Sequence, residues 1–391
     1  MKSAQTYEEI KPLVDFCKAG KLFEAQEWIA SGKPVNLPLI REKKAGRQSP
    51  LQIAMELGFH SLVKVLLDGG AEMEERYSPL EHAIRKRRLD LVKLLMEKGT
   101  NIRSVDITTV FDAWNPEMVE YFIDQGADLE TRNPVAWALC AKIRPALGLI
   151  KRYQDRFPSF HEQANIALRH HCWEGNLKWV SLMLWAGADP YARGPDSPEQ
   201  EADPEEDNNA LENAAFHGRL DIFKLKAIRL DPKRADSRRL VEHACDAENS
   251  DVLKMLLERG FSPGDWEYKG SSLIYSLLSG MSFDWDFNPF SGARKIEKDL
   301  DSDRSRENIK MIHMLARHGA RWKPESQREI NYVRRSLLKM TADYTVEFVW
   351  IMSKYKACAR EHIEQLLRPA PMRILTQKHQ SRLNELIANL P

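Results

Sequence analysis

Histidines, cysteines and paired carboxylates are the residues of this chain whose spacing approaches a reactive or metal-binding arrangement. His161-Glu162 opens like the helical H-E-x-x-H of a zinc hydrolase. The fifth position is Asn165, so the second ligand one helical turn on is missing and the motif fails. His170, His171 and Cys172 are consecutive on the first helix of one expected helix pair, and His243 and Cys245 stand on that of another. His171 occupies a position where comparable segments carry alanine, which reads as a buried packing histidine rather than a ligand. Asp284 and Asp286 form a D-x-D, a pair that holds a divalent cation when further ligands join it. Neither G-x-x-x-x-G-K-S/T nor G-x-G-x-x-G occurs, and no nucleophile has a base beside it. The sequence therefore assigns no catalytic residue, no metal site and no cofactor. Convergence of distant residues keeps an enzymatic reading open for residues 260–391.

Charge and composition set the class of partner. Lys plus Arg is 58 and Asp plus Glu is 57, giving a net charge of +1 and no global field to recruit nucleic acid or an anionic membrane. Two local runs are basic, RKRR at Arg85–Arg88 and the stretch from Arg219 to Arg239. Both lack the interleaved aromatics of a single-strand binder, so nucleic acid is not the expected partner. No apolar stretch approaches the roughly 18 residues of a membrane span, and the opening MKSAQTYEEIK lacks the apolar core of a signal peptide. The five cysteines are scattered without a C-x-x-C, as suits a reducing compartment. A cytoplasmic protein is expected (in a host cytosol if the chain is a secreted effector), with no membrane partner and no small-molecule substrate.

The elements that must position these residues come from an internal repeat. Four segments end alike: VKVLLDGGAEM from Val63, VKLLMEKGTNI from Val92, VEYFIDQGADL from Val119 and VSLMLWAGADP from Val180. VLKMLLERGFSP and IHMLARHGARW repeat the pattern more loosely. The shared glycines are Gly70, Gly99, Gly126, Gly187, Gly260 and Gly319, at spacings of 29, 27, 61, 73 and 59. The units also begin alike, with SPLQIAMELG from Ser49, SPLEHAIRKR from Ser78 and NALENAAFHG from Asn209. Ser or Asn is an N-cap acceptor, and proline at the first helical position loses no hydrogen bond. The small Ala54 or Ala83 lets a second helix approach, and that helix stops where glycine adopts a left-handed C-cap. Each unit is thus an antiparallel helix pair plus a turn.

S-P-L-x-x-A followed by a helix and L-L-x-x-G-A-D resembles the ankyrin repeat, closely over 49–130 and 165–262 and loosely at both ends. In the units at 107–130 and 133–157 the start is degraded to DITTVFDA and NPVAWALC, and LGLIKRYQDRF lacks the closing glycine. The resemblance implies an all-α, ankyrin-type helical-repeat solenoid of about ten pairs, beginning near residues 7, 49, 78, 107, 134, 161, 209, 236, 271 and 325. Residues 1–48 read as an N-terminal capping pair with a capping box at Thr6 and Glu9, 49–262 as repeats, 263–324 as degenerate repeats, and 325–391 as a helical C-terminal cap.

Two insertions interrupt the array. Residues 193–209 are acidic and rich in proline and read as a solvated, flexible loop, an alternative being a lure for a basic partner or a cover for the basic run after it. Residues 281–305 carry Phe283, Trp285, Phe287 and Phe290, which either pack onto the array or anchor a partner. The resemblance further implies a concave binding face built from turns and first helices. It places there Glu56, Leu57, Arg76, Tyr77, Arg85, Lys86, Ala113, Trp114, Trp173, Glu174, Phe216 and His217. The expected function is non-covalent binding of a dedicated protein partner, as scaffold, inhibitor or adaptor. Catalytic or nucleic-acid-linked activity in 260–391, or a bacterial effector or immunity role, is the alternative.

Overall fold

The computed structural model describes residues 3–38, 47–72, 78–113, 115–234, 237–263, 267–268, 271–280, 303–338, 341–368 and 375–390. Residues 281–302 of the aromatic insertion expected over 281–305, its D-x-D included, therefore lie outside the described residues. The chain forms two compact units, residues 1–167 with 197–199, and residues 168–196 with 200–391. Helices dominate both. Strand is confined, among the described residues, to the hairpin Glu267–Tyr268 with Ser271–Ser272 and one isolated bridge between Ser3 and Asn36.

In the first unit the helices come in pairs: α1 (Tyr7–Lys18) with α2 (Leu22–Ala30), α3 (Pro50–Leu57) with α4 (His60–Asp68), and α5 (Pro79–Arg85) with α6 (Leu89–Glu97). α7 (Ile107–Asp112) and α8 (Pro116–Asp124) follow, then α9 (Pro134–Cys140) and α10 (Ala146–Tyr153). The first members stack as one file, α1 on α3, α3 on α5, α5 on α7 and α7 on α9. Leu51, Ala54, Leu80 and Ala83 are buried in that file, and Leu66 and Leu95 between second helices, so the apolar spacing seen in the sequence is the core.

Helix α11 (Ser159–Glu174) carries the boundary between the units. The second unit continues with α12 (Leu177–Ala186), α13 (Ala210–Phe216), α14 (Arg238–Asp246) and α15 (Ser250–Glu258). Six more helices follow, α16 (Leu273–Gly280), α17 (Asp303–Arg317), α18 (Gln327–Leu338), α19 (Ala342–Lys354), α20 (Arg360–Leu367) and α21 (Gln377–Ala388). α14, α16, α18 and α20 form one file, and α15, α17, α19 and α21 the other. Residues 327–388 are thus two further pairs, making eleven starts where the sequence suggested ten. Leu375 precedes the cap of α21, and that helix buries Leu383 and Leu386.

The start and stop signals work as hydrogen-bond chemistry requires. Ser49 Oγ accepts from Gln52 N at 3.2 Å, Ser78 Oγ from Glu81 N at 3.3 Å, and Asn209 forms a full capping box with Glu212. The box expected at Thr6 is displaced: Thr6 accepts from Glu9 N, but the Glu9 carboxylate accepts from Gln5 N, one residue earlier. All six closing glycines have positive φ, between 83° and 99°. The following N–H returns to a carbonyl five residues back, as in Ala71 to Leu66 and Ala320 to Leu315. A Cβ there would meet no atom within 4 Å, so glycine is needed for its backbone conformation alone.

The unit at 209 departs from the pattern, because its second helix shrinks to a 3₁₀ turn at Ile222–Lys224. Aligned on Ile222 and Phe223, Lys226 falls where Leu66, Leu95 and Leu256 are fully buried. A continued helix would drive an ammonium into the core, so the chain turns out instead.

Candidate functional site

A row of rings crosses the first helices of the second unit. The His170 ring stacks on Trp173 with centroids 6.3 Å apart, Trp173 meets His217 edge-on at 5.4 Å, His217 adjoins Phe216 at 5.2 Å, and Phe216 meets His243 at 6.0 Å. Trp173 and Phe216 are equivalent residues, each two before the mid-repeat Gly175 and Gly218, and each remains 46% and 42% exposed.

The next unit fixes both backbones. Arg219 Nε donates to the Trp173 carbonyl at 3.1 Å, and Asn249 Nδ2 donates to the carbonyls of Ala215 and Phe216 at 3.2 and 2.8 Å. These side chains lie so close over Gly175 and Gly218 that a Cβ would stand 2.8 Å from Arg219 Cδ and 2.4 Å from Asn249 Oδ1. Both glycines also have positive φ, so their place in the sequence marks where side chains from the next turn seal the helix end.

Behind the row lies a buried polar layer that sequence reasoning missed. Arg169 is fully buried and donates to the carbonyls of Pro195 and Ala192 at 2.7 and 3.0 Å. Glu212, also fully buried, pairs with Arg193 at 2.9 Å and with Arg239 at 3.7 Å. Asn213 Nδ2 reaches Asp196 at 3.3 Å. The acidic insertion is therefore tied down at its start, and Asp207 at its end accepts from Asp203 N at 2.8 Å. Its exposed acids are Glu199, Glu201, Asp203, Glu205 and Glu206, so the solvated loop expected over 193–209 narrows to 199–206. The signal was the repeat register, which puts Arg169, Glu212 and Glu242 at one position of three successive units.

Burial tunes the titratable groups of this layer. The Glu242 carboxyl is pushed up to about 8 by burial, aided by the charges of Asp246 and Glu212. His243 is pulled down to about 4 by burial and then by Arg193. His217 is lowered by burial and by Arg219, against Asp196. Neutral imidazoles are therefore what the row presents at neutral pH from His217 and His243. Cys172 and Cys245 are buried thiols held protonated by desolvation, and Cys17 and Cys358 are pushed up to about 12.

The other expected surface residues are arranged differently. In the first unit Leu57 is exposed at the end of α3, and Arg85 is exposed and bound to Glu81 through Nε at 3.0 Å and Nη2 at 2.7 Å. Lys86 is the exposed C-cap of α5, Glu56 accepts from Gln48 and Gln52, and Ala113 is buried. Arg76, Tyr77 and Trp114 lie outside the described residues. The structure gathers Trp173, Glu174, Phe216 and His217 in the second unit and adds His170 and His243 to them. Two clefts of the first unit, of about 460 and 430 Å³, are lined by none of the expected residues.

The family model of ankyrin repeats, in three copies, matches residues 15–106. Over 125 residues the chain is 30% identical to a transient receptor potential cation channel subfamily A member 1 homolog of Caenorhabditis elegans, covering 30% of this chain and 10% of that protein. Over 188 residues it is 25% identical to the ankyrin repeat and KH domain-containing protein mask-1 of the same organism, covering 45% and 7%. The chain thus spans a tenth or less of these relatives. Among solved structures it is similar to the human ASB11 ankyrin repeat domain, with 18% identity and a TM-score of 0.36, over 59% of this chain and 97% of that one. An ankyrin repeat domain from Acinetobacter baumannii gives 19% identity and a TM-score of 0.29, over 55% and 94%.

Proposed function

This chain is an ankyrin-repeat protein, and we propose that it acts by binding one protein partner through the ring-lined face of its second unit. Ankyrin repeats are in general protein–protein interaction modules. The observation that carries the reading is the pair of large, half-exposed aromatics, Trp173 and Phe216, at equivalent positions on adjacent first helices. Rings held on a sealed backbone lose little entropy on docking, and aromatics dominate interface energetics. Neutral His217 and His243 extend the apolar face and leave few charges to desolvate.

The role is non-covalent, as scaffold, inhibitor or adaptor. Buried free thiols at Cys17, Cys172, Cys245 and Cys358 suit a reducing compartment, which favours the cytosol. Among the described residues no helix is long and apolar enough to cross a membrane. Capture from native lysate, comparing wild type with the Trp173→Ala/Phe216→Ala double variant, tests the proposal. A protein retained by wild type and reduced at least about tenfold by the variant supports it. Equal retention by both, with the helical circular dichroism of both intact, rejects it.

A further inference from the structure

His170, His171 and Glu174 stand at the C-terminal end of α11 with one donor atom from each lying within 4.8 Å of the others. His171 Nδ1 is 3.1 Å from Glu174 Oε2, and His170 Nε2 is 3.7 Å from Glu174 Oε1. A four-coordinate zinc ion with bonds of 2.0–2.2 Å separates its ligand atoms by about 3.4 Å, and the two His–Glu distances lie on either side of that spacing. The helix explains the placement. Glu174 is four residues from His170 and three from His171, which puts its carboxylate on the same face as both rings.

The two imidazoles are also held in place. His170 lies on the Trp173 ring, and His171, fully buried, lies against Trp179 with centroids 5.4 Å apart. Ligands already fixed by packing lose little rotamer freedom when a metal binds. His170 and Glu174 each keep 27% of the side chain exposed, which leaves an entry path and a fourth position for water or a partner's ligand. Two imidazole nitrogens with one carboxylate suit zinc and its late first-row neighbours, whereas calcium and magnesium take oxygen donors.

We propose that His170, His171 and Glu174 form a binding site for one divalent late transition-metal ion, zinc or a close analogue. Binding takes a lone pair from each ring, so His171 carries its remaining proton on Nε2 in the loaded form. The ion replaces the His–Glu contacts and cross-links both histidines to Glu174 at the end of α11. The site needs no partner protein, so its test is separate from that of the binding face.

Cobalt(II) is titrated into the full-length, chelator-treated chain at neutral pH, reading the visible bands of four-coordinate cobalt and the heat of binding, with zinc as competitor. The expected result is one saturable equivalent, displaced by zinc. Its affinity should fall at least about tenfold in His170→Ala and in Glu174→Gln, both at partly exposed positions and checked for unchanged helical signal. Absence of a saturable equivalent, or binding that both variants leave unchanged, overturns the proposal. The latter outcome would place the metal on other histidines.

Discussion

Residues 49–97 of the first unit and 168–258 of the second are built from the same repeat, yet they spend their polar residues in opposite ways. In the former, Ser49 and Ser78 cap their own helices, and Arg85 pairs in solvent with Glu81, four residues away. In the latter, Arg169, Glu212 and Glu242 are buried at one repeat position, while Trp173 and Phe216 stay half exposed. The first pattern keeps its ion pairs at the surface, Arg85 with Glu81 and Arg88 with Asp90. The second inverts inside and outside, and an inverted unit is stable only if a built network holds its charges, which frees its surface for aromatics.

Three changes in the second unit, one of them set beside a control in the first, probe that contrast. The largest effect is expected from Arg169→Ala, which strips donors from the carbonyls of Pro195 and Ala192 and should cost about 3 kcal/mol. Arg85→Ala, which breaks an exposed pair, should cost under about 0.5 kcal/mol. Urea unfolding of both variants beside wild type measures the difference, and equal midpoints would dissolve the contrast.

Next comes pH. The Glu242 carboxyl, raised from 4.5 to about 8, gives the folded state a proton affinity the unfolded chain lacks. Its contribution is complete below the ordinary value and is lost as pH rises through about 8. His243, lowered from 6.5 to about 4, acts in reverse: its contribution is complete above the ordinary value and lost as pH falls through about 4. From 6.5 to 8 the loss from Glu242 is unopposed by His243, and stability should fall by about 2 kcal/mol. Glu242→Gln should flatten this fall in thermal melts taken across that window; a slope that persists would place its origin elsewhere.

The smallest effect within the second unit is expected at Lys226. Lys226→Leu restores the residue found at Leu66, Leu95 and Leu256, and should add about 1 kcal/mol along with helical signal. A variant that is destabilised would show that the 3₁₀ turn is fixed by something other than that lysine.

Much of this architecture was legible in the residues. Glycine at a left-handed stop and Ser-Pro at a start are local chemistry, so Gly70, Gly319, Ser49 and Ser78 announced their helices. What escaped was supplied from a distance. The start of α9 has Asn133 in a left-handed conformation with no side-chain cap. Gln163 fills the gap from 28 residues away, accepting from Val135 N at 2.8 Å and Ala136 N at 3.2 Å and donating to the Leu129 carbonyl at 2.8 Å. No local pattern marks such a residue. The pairs at 327–388 were read as a cap because they lack the repeat's start, although they keep its packing. In the candidate site Trp173 and Phe216 followed from repeat register, whereas His243 was not placed beside Phe216, because that contact joins different registers of neighbouring helices.

The central claim is that the ring-lined face of the second unit is where the partner binds. The measurement that tests it most directly is the dissociation constant of the captured partner for three chains: wild type, Trp173→Ala/Phe216→Ala and Arg85→Ala/Lys86→Ala. The prediction is a loss of at least about thirtyfold for the aromatic pair, equivalent to about 2 kcal/mol, and less than about threefold for the basic pair. A larger loss from the basic pair, or equal affinity in all three, would contradict it.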